Sequence, residues 1–391
     1  MMDNKNVKIG IYGAALLMMG VIGVSGSLST IAASFPNASQ TMVQNIVSIP
    51  CLVIIPVTLM VGRLMAFISK KKLMLTGIGF FIVGGVVPAF LDSLPLILVF
   101  RGILGLGIGL IQPVASALVA ENYQGPEQER VQGAMTSYQM LGCAVMVFVG
   151  GWLGARAWNL SFYVHLLGII SLMMVIAFVP DQKPVRKEAT DAPHLKNRLT
   201  LSSWRWAGMM FLFFIAGQIY SVYTAFLVTE KALGTAVQAG NSLAFFALGG
   251  FMMGLLFGRL VSLARQMTLS MGFFLLGISY LLVAFANSMT VIYIGSIICG
   301  LAFSTAMPCI IINTAGSVDH FSVGMAISIT MCAQNLAQFI SPMIVNPLLA
   351  AISSGNPNQM AFILGAVLIT TLGVAALFWG TGQNKKAAQT G

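Results

Sequence analysis

Charge is what this sequence has least of. Lysine, arginine, aspartate and glutamate make up 8% of 391 residues, against 58% hydrophobic residues and a mean hydropathy of +0.91. Soluble domains carry about 25% charged residues, so a water-soluble fold is excluded and a membrane-spanning one implied. Acids are scarcest: Asp3, Asp92, Glu121, Glu127, Glu129, Asp181, Glu188, Asp191, Glu230 and Asp319 are all there are. None falls in the middle of an apolar run. A buried carboxylate to carry a proton or neutralise a strongly cationic solute is therefore missing. Cysteine is sparse and unpaired: Cys51, Cys143, Cys299, Cys309 and Cys332 sit inside apolar runs with no ligand spacing, which excludes a disulfide framework and a Cys/His metal site. There is no glycine-rich phosphate loop and no nucleophile beside a base. The sequence thus predicts no enzyme, no cofactor and no metal. The net charge of +10 is read as basic loops held on one side of a membrane, not as affinity for nucleic acid.

Apolar length is what the chain has instead. A helix that crosses a bilayer needs about 20 mostly apolar residues. Twelve such runs can be counted, at 10–32, 42–62, 73–91, 95–120, 131–154, 160–179, 204–228, 238–258, 268–287, 290–315, 323–350 and 359–380. Backbone groups in lipid must bond within their own segment, which makes these runs helices and the fold class an all-α polytopic membrane protein. Six runs precede the polar stretch 180–203 and six follow it, so a six-helix bundle at 1–179, a cytoplasmic linker at 180–203 and a second bundle at 204–391 are expected. The first run is too long for a signal-peptide core and reads as a retained span.

Orientation follows from the basic residues. With the N-terminus inside, 17 of the 20 lysines and arginines lie on the inner side; Arg156 and Lys231 fall outside and Arg101 within a span. Losing or gaining one span would destroy this bias. A multi-pass protein of the cell membrane, with both termini cytoplasmic, lipid as its surroundings and a monomeric state, is the expectation.

One stretch occurs twice. Gly62-Arg63-Leu64-Met65-Ala66, with the cluster Lys70-Lys71-Lys72 behind it, returns as Gly258-Arg259-Leu260-Val261-Ser262, 196 positions later. Gly79-Phe80-Phe81-x-x-Gly84 and Gly272-Phe273-Phe274-x-x-Gly277 follow the two copies. Self-similarity at half the chain length signals duplicated halves. Twelve helices as six plus six, with a basic loop after the second and the eighth, resembles the major facilitator superfamily of secondary transporters, and the resemblance covers essentially the whole chain. Gly62, Leu64, Lys70 and Lys71 match the family loop signature, whereas Ala66 and Ser262 stand where its acid is expected and Ser69 replaces its second glycine. Arg101, Gly105 and Gly107 match a second signature, R-x-x-x-G-x-G. Of a third, found in antiporters, Gly142, Gly150 and Gly151 are present but Met146-Val147 replace Gly-Pro. The resemblance implies two pseudo-symmetric bundles that rock about a small-molecule site near mid-membrane. It also marks Gly62, Arg63, Ala66, Lys70, Lys71, Gly258 and Arg259 as gating-loop positions.

Arg101 is the most informative residue. A charge placed about 9 Å inside a span is costly and should face the bundle interior. Its fork suits a carboxylate or sulfonate; equally, it can bond helix carbonyls or snorkel. Gln112, eleven residues on, shares its helix face and points either to a cavity or to a helix contact. His165 is the one histidine within a span and, with the helix-end acid Glu121, is the candidate for proton coupling; a histidine bonded to a neighbour is the plainer reading. Amides, hydroxyls and aromatics supply the candidate solute-binding set: Arg101, Gln112, Ser25, Tyr138, Gln139, Gln218, Tyr220, Tyr223, Thr305, Gln334 and Gln338. Such groups in lipid must face protein or a wet cavity. Together these point to secondary transport of a small amphipathic organic solute, an organic anion first, coupled to a proton or sodium ion. Proton-coupled drug or metabolite efflux is the alternative within the class, and lipid flipping the alternative outside it.

Overall fold

The computed structural model describes residues 4–38, 40–181, 199–234, 236–319, 322–352 and 356–387. Most of the expected linker 180–203 lies outside the described residues. Thirteen α-helices follow one another: α1 (Asn4–Ala15), α2 (Leu28–Ser34), α3 (Gln40–Leu64), α4 (Lys70–Val86), α5 (Leu94–Asn122), α6 (Gly125–Gly154), α7 (Leu167–Phe178), α8 (Leu201–Glu230), α9 (Ala236–Ala264), α10 (Thr268–Ala284), α11 (Met289–Gly316), α12 (Val323–Ile352) and α13 (Pro357–Ala387). No strand occurs among the described residues. Among the described residues eleven helical segments are long and apolar enough to cross a membrane, and one of them, Asn241–Ala284, runs for 44 residues. That is twice the length of one crossing, and the path turns at Arg265, whose φ is +48°. The chain therefore makes twelve crossings.

Two crossings are not continuous α-helices. The first is α1, a 3-10 stretch at Gly20–Ser27, and α2; the sixth is a 3-10 stretch at Trp158–Leu166 followed by α7. Helix breaks inside a membrane persist only where protein satisfies the freed backbone groups.

The chain forms two compact units. One comprises Met1–Gln124, Tyr138–Gly208 and Ile311–Phe339; the other comprises Gly125–Ser137, Met209–Ile310 and Ile340–Gly391. In the first, α5 is wedged between α3 and α4 by missing side chains. A methyl group at Gly105 would lie 2.6 Å from the Pro50 carbonyl oxygen, and one at Gly107 2.5 Å from that of Gly77. The R-x-x-x-G-x-G pattern is thus two close helix crossings. The glycines of the antiporter-like pattern act alike on the first crossing, since a methyl group at Gly142 would meet the Leu16 oxygen at 2.0 Å and one at Gly150 the Gly23 oxygen at 2.1 Å. Met146, where a Gly-Pro would stand, packs against Gly20 and Gly23 instead.

The repeated loop is also built on glycine. In the first unit Gly62 of α3 faces α12, with the Met325 Cα 3.2 Å and the Ser328 Oγ 3.1 Å from a Cβ placed there. In the second unit the equivalent Gly258 of α9 faces α6, its Cβ position 2.6 Å from Arg130 Cγ. One turn earlier, Gly254 meets the Gly133 carbonyl at 2.6 Å, and Ser137 Oγ donates to the Phe251 carbonyl at 2.8 Å. Arg63, Ala66 and Arg259 are exposed. Lys70 pairs with Glu121 at 2.7 Å, Lys71 Nζ donates to the Ile176 carbonyl at 2.7 Å, and Ser69 Oγ accepts the Lys72 N–H, capping α4.

Candidate functional site

Pro50 sits inside α3 and has no N–H, so the carbonyl of Ile46, four residues earlier, loses its intrahelical partner. The 3-10 stretch of the first crossing leaves further carbonyls without α-helical donors. Arg101 serves both. It is completely buried, one turn before Gly105, and its Nε–H donates to the Ile46 carbonyl at 2.7 Å. Nη2 donates to the Val21 carbonyl at 2.6 Å, and Nη1 lies 3.2 Å from His165 Nε2.

His165, also fully buried, stands at the end of the second 3-10 stretch, where Gly85 makes room for its ring: a methyl group at Gly85 would lie 2.3 Å from the imidazole Cγ. Its Nδ1 is 2.9 Å from the Phe162 carbonyl and its Nε2 3.2 Å from that of Gly20. With Nδ1–H donating to Phe162, Nε2 becomes the acceptor that the guanidinium needs; this tautomer is assigned from the network. Ser171 Oγ donates to the Gly13 carbonyl at 2.6 Å, and Gln112 Nε2 to that of Met18 at 3.5 Å. Side chains from two other crossings thus hold the broken first one at Gly13, Met18 and Val21. Of the two readings of Arg101, the geometry is that of the carbonyl-bonded arginine. His165 is likewise bonded to its neighbours.

The remaining sequence candidates divide by unit. In the first, Tyr138 stacks on Tyr12 with ring centroids 4.7 Å apart, Ser25 and Gln338 are half-buried, and Glu121 is taken by Lys70. Gln112 and Gln334 are buried with a side-chain oxygen that meets no donor, and Gln139 is buried with neither end of its amide bonded. In the second unit Tyr220 donates its hydroxyl to Ser296 and Ser242, Tyr223 bonds Asn346, and Thr305 donates to its own helix at Leu301. Gln218 there is half-buried. Reading the sequence missed Ser116, one turn beyond Gln112, fully buried with an unbonded hydroxyl. It also missed the dependence of Arg101 on Pro50, although a proline and the carbonyl four residues before it are a legible pair. Among the described residues no group of three or more metal-ligating side chains comes together.

Twelve apolar crossings with a buried arginine clamp define a polytopic membrane protein. The chain belongs to the Major Facilitator Superfamily, whose family model matches residues 11–342 and 209–390; it is not an enzyme. Among curated relatives, the multidrug transporter protein MdtP of Bacillus subtilis is 22% identical over 116 residues, 29% of this chain and 21% of that protein. A multidrug resistance protein B homolog of Mycobacterium tuberculosis is 27% identical over 125 residues, 32% of this chain and 23% of that protein. The matched stretches thus span less than a quarter of these relatives' length. The fold is shared at a TM-score of 0.77 with the human organic anion transporter MFSD10 (TETRAN), 15% identical, over 96% of this chain and 100% of that one. It is shared at 0.69 with FucP in the outward conformation, 16% identical, over 95% and 97% of the two chains.

Proposed function

We propose that the chain is a secondary transporter that moves an uncharged or weakly charged amphipathic organic solute across the cell membrane by alternating access. The six-helix halves expected for the family, 1–179 and 204–391, would rock against each other. The observation that carries this reading is the engagement of Arg101. Every nitrogen of its guanidinium has a partner within its own unit and none of its surface is exposed, so the charge is committed to the scaffold. The described acids, Asp92, Glu121, Glu127, Glu129, Asp181, Glu230 and Asp319, lie toward helix ends or in connecting stretches. What remains for recognition is amides, hydroxyls and aromatics among apolar side chains, a surface suited to drug-like or metabolite amphipaths. The multidrug names of the curated relatives agree in kind.

A second reading, an organic anion as the solute, is favoured by the likeness of fold to the human organic anion transporter MFSD10. On the geometry above, the anion would need a cation other than Arg101. Thermal-shift titration of the purified protein with a neutral amphipath bearing hydroxyl and amide groups (chloramphenicol), a cation without hydrogen-bonding groups (tetraphenylphosphonium) and an anion (2-naphthalenesulfonate) separates these readings. Stabilisation by chloramphenicol is expected; stabilisation by the sulfonate alone would overturn the first reading in favour of the second. Flux into proteoliposomes under imposed pH and sodium gradients identifies the coupling ion.

A further inference from the structure

We propose that Gln112, Ser116 and Gln139 form a hydrogen-bonding subsite that grips an uncharged hydroxyl- or amide-bearing part of the transported solute. The proposal rests on the reading of the chain as a transporter of uncharged amphipaths and names the residues and the chemistry by which it selects them.

The three side chains are at least nine-tenths buried, at 5%, 0% and 1% exposure. Four of their polar atoms have no partner: Gln112 Oε1, Ser116 Oγ, and both Oε1 and Nε2 of Gln139. A buried amide or hydroxyl without a hydrogen bond costs about 1–3 kcal/mol, and proteins rarely leave four such atoms in one region without an occupant. The first crossing relates the two helices that carry them. Gln112 and Ser116, one turn apart on α5, share a helix face, and the Gln112 amide reaches the Met18 carbonyl of the first crossing. Gln139 lies on α6 beside Tyr138, which stacks on Tyr12, and one turn before Gly142, which touches the Leu16 carbonyl. Gln112 itself, and the neighbours of Gln139 on α6, thus meet the same stretch of the first crossing, just where it leaves α-helical geometry after Ala15.

The chemistry of the occupant follows from the unmet valences. Gln112 Oε1 and Gln139 Oε1 require donors, Gln139 Nε2 requires an acceptor, and Ser116 takes either. No charge is among them and Arg101 is engaged elsewhere, so an anion gains little and a cation finds no counter-charge. A neutral group that both donates and accepts, such as a hydroxyl, an amide or a hydroxyl beside a carbonyl, fits. Apolar replacement of an unbonded buried polar group of similar shape is neutral or stabilising, whereas replacement of a bonded one destabilises. The two cases therefore leave opposite marks on stability.

The test is Gln139→Leu and Ser116→Ala in the full-length protein, each read twice, by thermal unfolding of the unliganded protein and by chloramphenicol titration. The expected result is an unchanged or raised Tm together with chloramphenicol affinity weakened by about 10-fold for Gln139→Leu and about 3-fold for Ser116→Ala. Tetraphenylphosphonium binding, if the wild type shows any, should be unaltered. A lowered Tm with chloramphenicol affinity intact would identify the atoms as bonded to trapped water and overturn the proposal; so would unchanged affinity at unchanged Tm. Should Gln139→Leu fail to fold, Ser116→Ala decides alone, because it removes a single atom. Failure of the underlying reading is seen separately, in the wild type: there chloramphenicol would not bind at all.

Discussion

Arg101 shows how a costly residue is justified by its neighbours. An arginine inside a span costs up to about 2.5–3.5 kcal/mol on insertion scales, yet here it closes gaps that Pro50 and the broken first crossing open in the backbone. Replacing it by leucine leaves the Ile46 carbonyl and His165 Nε2 without donors, and buried groups so stranded cost about 1–3 kcal/mol each. Arg101→Leu should therefore lower stability by about 3 kcal/mol or more, read as a fall in the detergent-solubilised Tm. The dependence on proline gives a sharper check. In Pro50→Ala the helix regains an N–H for the Ile46 carbonyl, so the double variant Arg101→Leu/Pro50→Ala should recover about 1 kcal/mol relative to the sum of the single changes. Strict additivity would count against the clamp. Arg101→Lys is not conservative here, because a lysine cannot address three directions from a planar fork. From sequence this residue was readable as buried and inward-facing. Its partners were not, since they are main-chain oxygens, and main-chain oxygens look alike in every residue until the backbone path is known.

At the level of helices, glycine position sets the packing. Gly150 and Gly151 are neighbours in α6 with opposite surroundings: a methyl group at Gly150 meets the Gly23 oxygen at 2.1 Å, and one at Gly151 meets nothing within 4 Å. Gly150→Ala is expected to destabilise by about 1–3 kcal/mol through overpacking, and Gly151→Ala to stabilise by about 0.5–1 kcal/mol through helix propensity. Melting curves of the two variants test this directly. Helix existence was legible in the sequence, because runs of some 20 apolar residues have one outcome in lipid. The two 3-10 interruptions were not. The runs 10–32 and 160–179 look as apolar as their continuous counterparts, and the break is sustained by donors on other helices: Arg101, Gln112 and Ser171, with His165 beside them. Of the sequence candidates, the glutamines and tyrosines were recognisable by type, whereas the protein partners of Tyr220, Tyr223 and Thr305 emerge only from the packing.

For the molecule as a whole, twelve crossings and the basic loops make a firm topological expectation. Phe67 and Leu263 are 80% and 84% exposed where the second and eighth crossings end, while Phe90 and Phe285 are 69% and 62% exposed where the third and ninth end. Single cysteines at these positions, in a background without the five native ones, should fall into two classes toward a membrane-impermeant maleimide. Those at 67 and 263 should label only from the side that carries the basic clusters, those at 90 and 285 only from the other. Labelling of 67 and 263 from opposite sides would mean a miscounted span. The loss of the acid from both copies of the repeated loop, at Ala66 and Ser262, leaves the glycine contacts of Gly62 and Gly258 in place. What duplication has retained there is the close approach of backbones rather than a charge.

The arginine clamp also imposes an order on biogenesis. Helix α5 emerges from the ribosome after the first two crossings, and its arginine finds the Val21 and Ile46 carbonyls already in the membrane, while His165 arrives two crossings later. Those first crossings must therefore linger beside the insertion site until α5 enters, instead of diffusing away singly. A nascent chain lacking residues 4–34 should insert α5 poorly, and Arg101→Leu should restore its insertion in the same truncated chain.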